Sequence, residues 1–251
     1  MSALIGHTGF VGGHLQTEIS FQEKYNRSNI SKIQGLKTDL IICAGLPAEK
    51  WKANSDPDSD WLNMANLSHL ISTIEADRAI LISTIDVYQP PREVTESSQP
   101  NLIGTEAYGR NRAWFEMFFR AKFPNSLIVR LPGLFAPNLK KNLIFDLINK
   151  REDQYSNVDG ESKFQFFDIT QISKIIDIAL EHQLLTLNIA SEPLTAQEIA
   201  DIFKVQLSTG KNKLNYQMKS NHESLFGGEN GYLFSKEQII RGISELQAID
   251  V

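Results

Sequence analysis

The chain opens Ala3-Leu4-Ile5-Gly6-His7-Thr8-Gly9-Phe10-Val11-Gly12-Gly13-His14-Leu15, an apolar strand that runs into glycines at positions 6, 9 and 12 and then into a helical segment. Glycine at these positions removes the side chains that would keep backbone amides and a helix N-terminus away from a bound diphosphate. The spacing is G-x-x-G-x-x-G, not G-x-G-x-x-G. Taken alone, the turn therefore reads either as a phosphate cradle or as a Gly-rich connection between strand and helix. Its position on the first strand, together with the pattern that follows, favours the cradle and makes a dinucleotide the first candidate ligand.

Apolar runs and helical patterns then alternate. Strands are expected at 3–5, 21–25, 39–44, 79–83 and 126–131, and helices at 13–19, 60–75 and 105–122. Strands separated by helices need crossover connections, and crossovers build a parallel sheet with helices on both faces. The fold class predicted is α/β, a doubly wound parallel sheet. Further along, a helix is expected at 142–149, an apolar run at 164–167, a helix at 170–182, a strand at 185–189, and a helix at 195–203. That last helix opens with the capping-box pattern Thr195-x-x-Glu198. The final third is shorter in its patterns and more polar. We expect a dinucleotide-binding domain over 1–135 and, over 136–251, the last strands interleaved with a small mixed substrate lobe.

Composition narrows the function classes. With 251 residues and 41% hydrophobic content, the chain can bury one substantial core plus a small lobe. A net charge of -5 with no run of five or more basic residues argues against nucleic acid and against an anionic membrane as partners. The single cysteine, Cys43, excludes an intrachain disulfide, and its place in Leu40-Ile41-Ile42-Cys43-Ala44 marks it as a buried thiol. The five histidines show no metal-ligand spacing, so no metal is expected. No long uncharged apolar stretch and no basic leader are visible, which predicts a cytoplasmic protein.

Two further constellations bear on chemistry. In a doubly wound nucleotide fold the end of the second strand meets the adenosine ribose, where an acid holds a 2′-hydroxyl and an arginine accommodates a 2′-phosphate. Here that strand ends in Asn26-Arg27-Ser28-Asn29, without a carboxylate. This predicts NADP(H) in preference to NAD(H); the alternative is that Arg27 is a solvated turn residue. The fourth strand ends Ser83-Thr84-Ile85-Asp86-Val87-Tyr88, and a later helix carries Tyr108-Gly109-Arg110-Asn111-Arg112. Ligands in open α/β sheets bind beyond the carboxyl ends of the strands, which puts the Thr84 hydroxyl within reach of a substrate oxygen. Tyr108 and Arg112 share a helix face, and a cation one turn away favours the phenolate of a tyrosine whose free pKa is about 10.

The glycine turn, Ser83-Thr84-x-x-Val87-Tyr88, Tyr108-x-x-x-Arg112, Arg130-Leu131-Pro132-Gly133-Leu134-Phe135-Ala136-Pro137 and Asn188-Ile189-Ala190 together resemble the extended short-chain dehydrogenase/reductase superfamily. The likeness is to its NAD(P)-dependent nucleotide-sugar epimerases, dehydratases and reductases, nearest to dTDP-4-dehydrorhamnose reductase-like members. It covers most of residues 3–205 and implies a Rossmann domain. It also implies that Thr84 hydrogen-bonds the substrate oxygen, that Tyr108 is the general acid/base, and that position 112 holds the nicotinamide ribose. For the cofactor it implies Gly6, Thr8, Gly9, Phe10, Val11 and Gly12 in the turn, Arg27 and Ser28 after the second strand, Ala44 and Gly45 after the third, and Leu131 at the end of the fifth. Asp86, Lys140 and Asn142 would meet a nucleotide-linked sugar or a related substrate.

One departure stands out. The family pattern has lysine at position 112 and this chain has arginine, which keeps the charge but cannot relay a proton. Two readings follow: an oxidoreductase or epimerase transferring hydride, or a protein that binds NADP(H) for sensing or interaction with little turnover. On the substrate side, Asn138-Leu139-Lys140-Lys141-Asn142 precedes a helix and suits an anionic ligand, or else is a solvated loop. Trp51, Trp61 and Trp114 stack on a ligand or belong to the core, and Asn63 supports the site or caps the surface. The apolar segment 114–119 suits the paired helices of a homodimer, or packs on the sheet.

Overall fold

The computed structural model describes residues 1–103, 106–210 and 213–249. In chain order its elements are β1 (Ser2–Ile5), α1 (Phe10–Glu18), β2 (Glu23–Tyr25), β3 (Lys37–Cys43), α2 (Lys50–Ser55), α3 (Pro57–Ser72), β4 (Glu75–Thr84), α4 (Ala107–Lys122) and β5 (Leu127–Leu131). Then follow β6 (Gly133–Phe135), α5 (Leu143–Ile148), α6 (Glu152–Tyr155), β7 (Lys163–Phe164), β8 (Phe166–Asp168), α7 (Ile172–Glu181), β9 (Thr186–Asn188), β10 (Leu194–Thr195), α8 (Ala196–Ile202) and α9 (Lys236–Ile249).

Six strands form one sheet in the order β2-β1-β3-β4-β5-β9. β1 pairs in parallel with both β2 and β3, and β3 with β4. The order reverses between β1 and β3, and such a switch point leaves a crevice beyond the strand ends. Ile5 is level with Cys43, and Cys43 with Leu81. Gly6, Ala44 and Thr84 therefore all lie at the same carboxyl edge. The central strands are apolar on both faces because helices cover both: Ala3, Ile5, Ile41, Cys43 and Leu81 join Phe115 and Phe119 in one buried cluster, while Leu4, Ile42 and Ile80 of the opposite parity are buried as well. Burial pushes the Cys43 thiol up to about 12, which leaves it protonated and inert.

By its internal contacts the chain divides into two compact units, neither continuous in sequence. The first comprises Met1–Gln89, Ser98–Arg130 and Ile172–Leu187; the second comprises Pro90–Ser97, Leu131–Gln171 and Asn188–Val251. In the second, β6 pairs with β8 in parallel and β7 with β10 antiparallel. Its core gathers Phe135, Leu143, Ile144, Phe166, Leu194, Ile199 and Ile243.

Several boundaries differ from the sequence expectation for identifiable reasons. The first helix begins at Phe10 and not at 13, because Gly9 itself is the N-cap. The third begins at Pro57 and not at 60: proline takes the first turn, where no N–H is needed, and the Asp56 side chain accepts from Ser59 N–H. β4 starts four residues before 79, its polar entry Glu75 paired with Lys37 of β3 through a 2.9 Å ion pair. The start expected at Thr105 lies outside the described residues. The capping box is present as read, with Thr195 and Glu198 each accepting from the other's backbone N–H.

Candidate active site

The glycine turn is built so closely that no side chain fits at Gly6 or Gly12. Gly6 has φ +89°, and a Cβ there would lie 2.4 Å from the carbonyl oxygen of Ala44. A Cβ on Gly12 would lie 2.2 Å from the Gly6 carbonyl oxygen. The helix thus starts directly against the strand end, with Gly9 N–H donating to the Gly6 carbonyl at 2.9 Å. The positive end of α1, a nine-residue helix, carries no side-chain cap and no acid in its first turn. A diphosphate needs such a cradle, and these residues fit one. Thr8 and Gly9 are exposed, and Phe10 and Val11 are half-buried at the helix mouth.

Ala44 and Gly45 follow β3 beside this turn. Ala44 N–H donates to the Ile5 carbonyl at 2.9 Å, and Gly6 N–H to the Tyr25 carbonyl at 2.7 Å, so the ends of β1, β2 and β3 are bound together. Arg27 and Ser28 sit in an exposed turn after β2, shaped by Asn26: its Oδ1 accepts from Ser28 N–H at 2.9 Å and from the Ser28 hydroxyl at 2.6 Å.

Beyond β4 the chain turns through Ile85–Val87 with the Thr84 hydroxyl accepting from Asp86 N–H at 3.2 Å. The N-terminus of α4 lies against this turn, and Gly109 permits it: a Cβ there would stand 2.0 Å from the Asp86 carbonyl oxygen. That approach seats Tyr108 beside Thr84 and Asp86. Tyr108 N–H donates to Asn54 Oδ1 of α2 at 2.9 Å. From the same helix, Lys50 Nζ stands 2.8 Å from Asp86 Oδ1 and 3.5 Å from Glu106 Oε2. Burial pushes the Tyr108 phenol above the ordinary tyrosine range, and Asp86 adds to the rise. Arg112, a hydrogen bond from Thr84 and Lys50 oppose it without cancelling it.

Arg112 is 1% exposed and its guanidinium stacks 4.0 Å from the Tyr108 ring centroid. Its terminal nitrogens are spoken for. Nη1 donates to Asp60 Oδ2 at 2.5 Å and to the Tyr108 carbonyl at 3.2 Å, and Nη2 to Asp60 Oδ1 at 2.9 Å and to the Pro47 carbonyl at 2.7 Å. Asn111 Nδ2 also donates to Asp60, at 2.8 Å. Only Nε lacks a partner. Next to Thr84, Ser83 donates to Glu116 Oε1 at 2.5 Å, and Glu116 is paired with Arg130 at 2.6 Å, whose Nη1 reaches the Tyr88 hydroxyl. This second buried pair fixes the end of β4 to α4 and β5.

The structure thus brings Thr84, Asp86, Tyr108 and Arg112 together in the first unit, and Gly6, Gly9 and Gly12 with Ala44 and Gly45 at the same sheet edge. Leu131, Lys140 and Asn142 belong to the second unit. Leu131 is buried and Lys140 exposed. Asn142 is the N-cap of α5: its Oδ1 accepts from Phe145 N–H at 3.2 Å and its Nδ2 donates to the Leu134 carbonyl at 2.8 Å. Asn63, Trp51 and Trp61 are exposed; Trp61 meets Trp114 edge-on at 4.5 Å. Sequence reasoning missed Lys50, Asn54 and Asp60, and gave Gly109 no role. A glycine inside a helix, which costs about 1 kcal/mol relative to alanine, was the one available signal.

No family model matches the sequence and no curated protein matches it. Solved structures match over the whole length. A dTDP-4-dehydrorhamnose reductase from Bacillus anthracis in complex with NADP has a TM-score of 0.76 at 16% identity, covering 100% of this chain and 98% of that one. The Yersinia enterocolitica dTDP-4-dehydrorhamnose reductase gives 0.74 at 13%, covering 100% and 99%. A UDP-glucose 4-epimerase with UDP-glucose from Thermotoga maritima gives 0.73 at 13%, covering 99% and 98%. This chain has their fold. The doubly wound α/β architecture expected from the sequence is the one observed in the six-stranded sheet; at these identities the likeness is one of backbone.

Proposed function

We propose that the protein binds NADP(H) in its glycine turn and reduces a keto group of a nucleotide-linked or related sugar, with Tyr108 as proton donor. The observation that carries this reading is the placement of a Thr84–Tyr108 hydroxyl pair at the same sheet edge as a helix N-terminus approached by Gly6 and Gly12, where no Cβ fits. The B. anthracis structure of the same fold holds NADP, and the T. maritima one UDP-glucose, which supports both ligand classes. Arg27, at the end of β2 where no acid stands, supports the 2′-phosphate.

A bound reduced nicotinamide supplies hydride to the carbonyl carbon. Thr84 orients the carbonyl oxygen, and Tyr108 gives that oxygen its hydroxyl proton, the O–H bond of the phenol breaking as that of the alcohol forms. The phenolate left behind regains its proton from solvent. Burial keeps Tyr108 protonated near neutral pH, which suits it to donate and supports reduction over the base-initiated steps of epimerisation.

The experiment is NADPH and NADH titration calorimetry, followed by NADPH consumption with a panel of nucleotide-linked keto sugars. Tyr108→Phe should lower turnover by on the order of a hundredfold or more with cofactor affinity retained. Unchanged turnover removes the phenol from the chemistry. No binding of either dinucleotide removes the cofactor. A second reading, a dinucleotide-binding protein with little turnover, is favoured by one observation: Asp60 holds the Arg112 guanidinium where the family pattern has a free ammonium. Binding without turnover on the full panel, reversed in Arg112→Lys, would select it.

A further inference from the structure

Resting on that reading of Tyr108, we propose that Lys50 of α2 is a positioning residue of the site: its ammonium holds Asp86 beside Thr84 and adds positive charge near the phenol to that of Arg112. The charges facing Tyr108 come from four places. Lys50 comes from α2, Asp86 from the turn after β4, and Glu106 from the residue before α4. Arg112 comes from α4 with Asp60 of α3 bound to it. Arg112 lies over the ring, but both oxygens of Asp60 answer its charge. A closely paired ion presents a dipole to its neighbours, so neither Arg112, held by Asp60, nor Lys50, held by Asp86, acts as a lone charge, and Arg112 is the larger of the two influences on the phenol.

Lys50 is placed differently. It spans Asp86 at 2.8 Å and Glu106 at 3.5 Å, with its side chain 38% exposed. Asp86 Oδ2 in turn accepts from the Thr84 hydroxyl at 3.4 Å. One turn along α2, Asn54 accepts the Tyr108 N–H at 2.9 Å and donates to Glu106 at 2.9 Å. Positions 50 and 54 share a helix face, so α2 is anchored to Tyr108 at the same place where it delivers the cation. Without Lys50 the phenol loses a nearby cation and Asp86 loses the one 2.8 Å away; both changes disfavour its phenolate.

The test places a difluorotyrosine, which ionises at lower pH than tyrosine, at position 108 of the full chain. Fluorine NMR then follows its ionisation in the ligand-free protein. Lys50→Met should lower the phenolate fraction at a fixed pH about twofold or more, Lys50→Arg should restore most of it, and Asp86→Asn should raise it. A titration that is the same in all four proteins overturns the inference, as does failure of Lys50→Arg to rescue. If Lys50→Met does not fold, the opposite shift in Asp86→Asn and the near-parental behaviour of Lys50→Arg still decide it. NADPH binding by the same proteins separates the two levels: an unmoved titration in a protein that binds and turns over sinks the role of Lys50 alone, whereas the expected shifts in a protein that binds no dinucleotide sink the functional reading alone.

Discussion

The two terminal nitrogens of Arg112 meet the two carboxylate oxygens of Asp60 at 2.5 and 2.9 Å, with both side chains shut away from solvent. This fork accounts for arginine at 112. A lysine presents a single point charge and cannot fill both oxygens while also reaching the carbonyls of Pro47 and Tyr108. The side chain that the family pattern assigns to the cofactor ribose is here a tie between α3, α4 and the segment after β3.

Arg112→Met therefore leaves a buried carboxylate unpaired and should cost about 3–5 kcal/mol. Arg112→Lys retains the charge but loses the fork, and should cost about 1–3 kcal/mol. Urea unfolding of both variants measures this. A loss well under 1 kcal/mol in the methionine variant would mean that water reaches Asp60.

Adjacent glycines of α1 should respond in opposite senses. Gly12→Ala forces a Cβ to 2.2 Å from the Gly6 carbonyl and should cost about 1–3 kcal/mol while abolishing dinucleotide binding. Gly13 has nothing within 4 Å of its would-be Cβ, so Gly13→Ala should stabilise the helix by about 0.5–1 kcal/mol. Thermal melts with and without NADPH distinguish them, and equal effects would show that the strand–helix contact is looser than described.

Arg27 tests the choice of dinucleotide. Arg27→Ala should weaken NADPH binding about tenfold or more and leave NADH unchanged, since only the former carries the 2′-phosphate. Equal losses for both would make Arg27 a general contact, and no loss would make it the solvated turn residue of the alternative reading.

In the second unit, the N-terminus of α8 should carry a pH-dependent share of stability. Partial burial raises the Glu198 carboxyl, but the bond to Lys236 at 2.8 Å and those from the Thr195 backbone and hydroxyl outweigh it, leaving the group below the usual carboxylate range. A depressed folded value means that the contribution is present above the unfolded value and fades as pH falls through the folded one. The stability difference between parent and Glu198→Gln should accordingly be modest near neutrality and vanish in acid. Thr195→Ala should cost about 1 kcal/mol at either pH. A difference that persists in acid would trace to packing.

The sequence made the sheet and the close glycine turn legible because both depend on local signals. Apolar runs of four to six residues mark the central strands, and glycine spacing marks the turn. Thr84 and Tyr108 were legible through a motif. Lys50, Asn54 and Asp60 were not, because they meet the site only through tertiary placement: α2 is six residues long, too short for a periodic pattern. α9 was also passed over, although Ile239, Ile243 and Leu246 are buried at helical spacing, because the patterns of the final third are short and polar. Tyr108 itself shows the limit. Its spacing from Arg112 suggests a lowered phenol, yet burial, which no spacing reveals, reverses the sign.

Both flanks of the six-stranded sheet end in strands of three residues, β2 and β9. At the β2 flank Lys24 is exposed, and at the other the Asn188 N–H already donates to Glu96. A newcomer chain finds almost no free ladder there on which to zip up. The protein should accordingly resist fibril seeding and concentrate without clumping, a colloidal property set by where the sheet stops and not by what it binds.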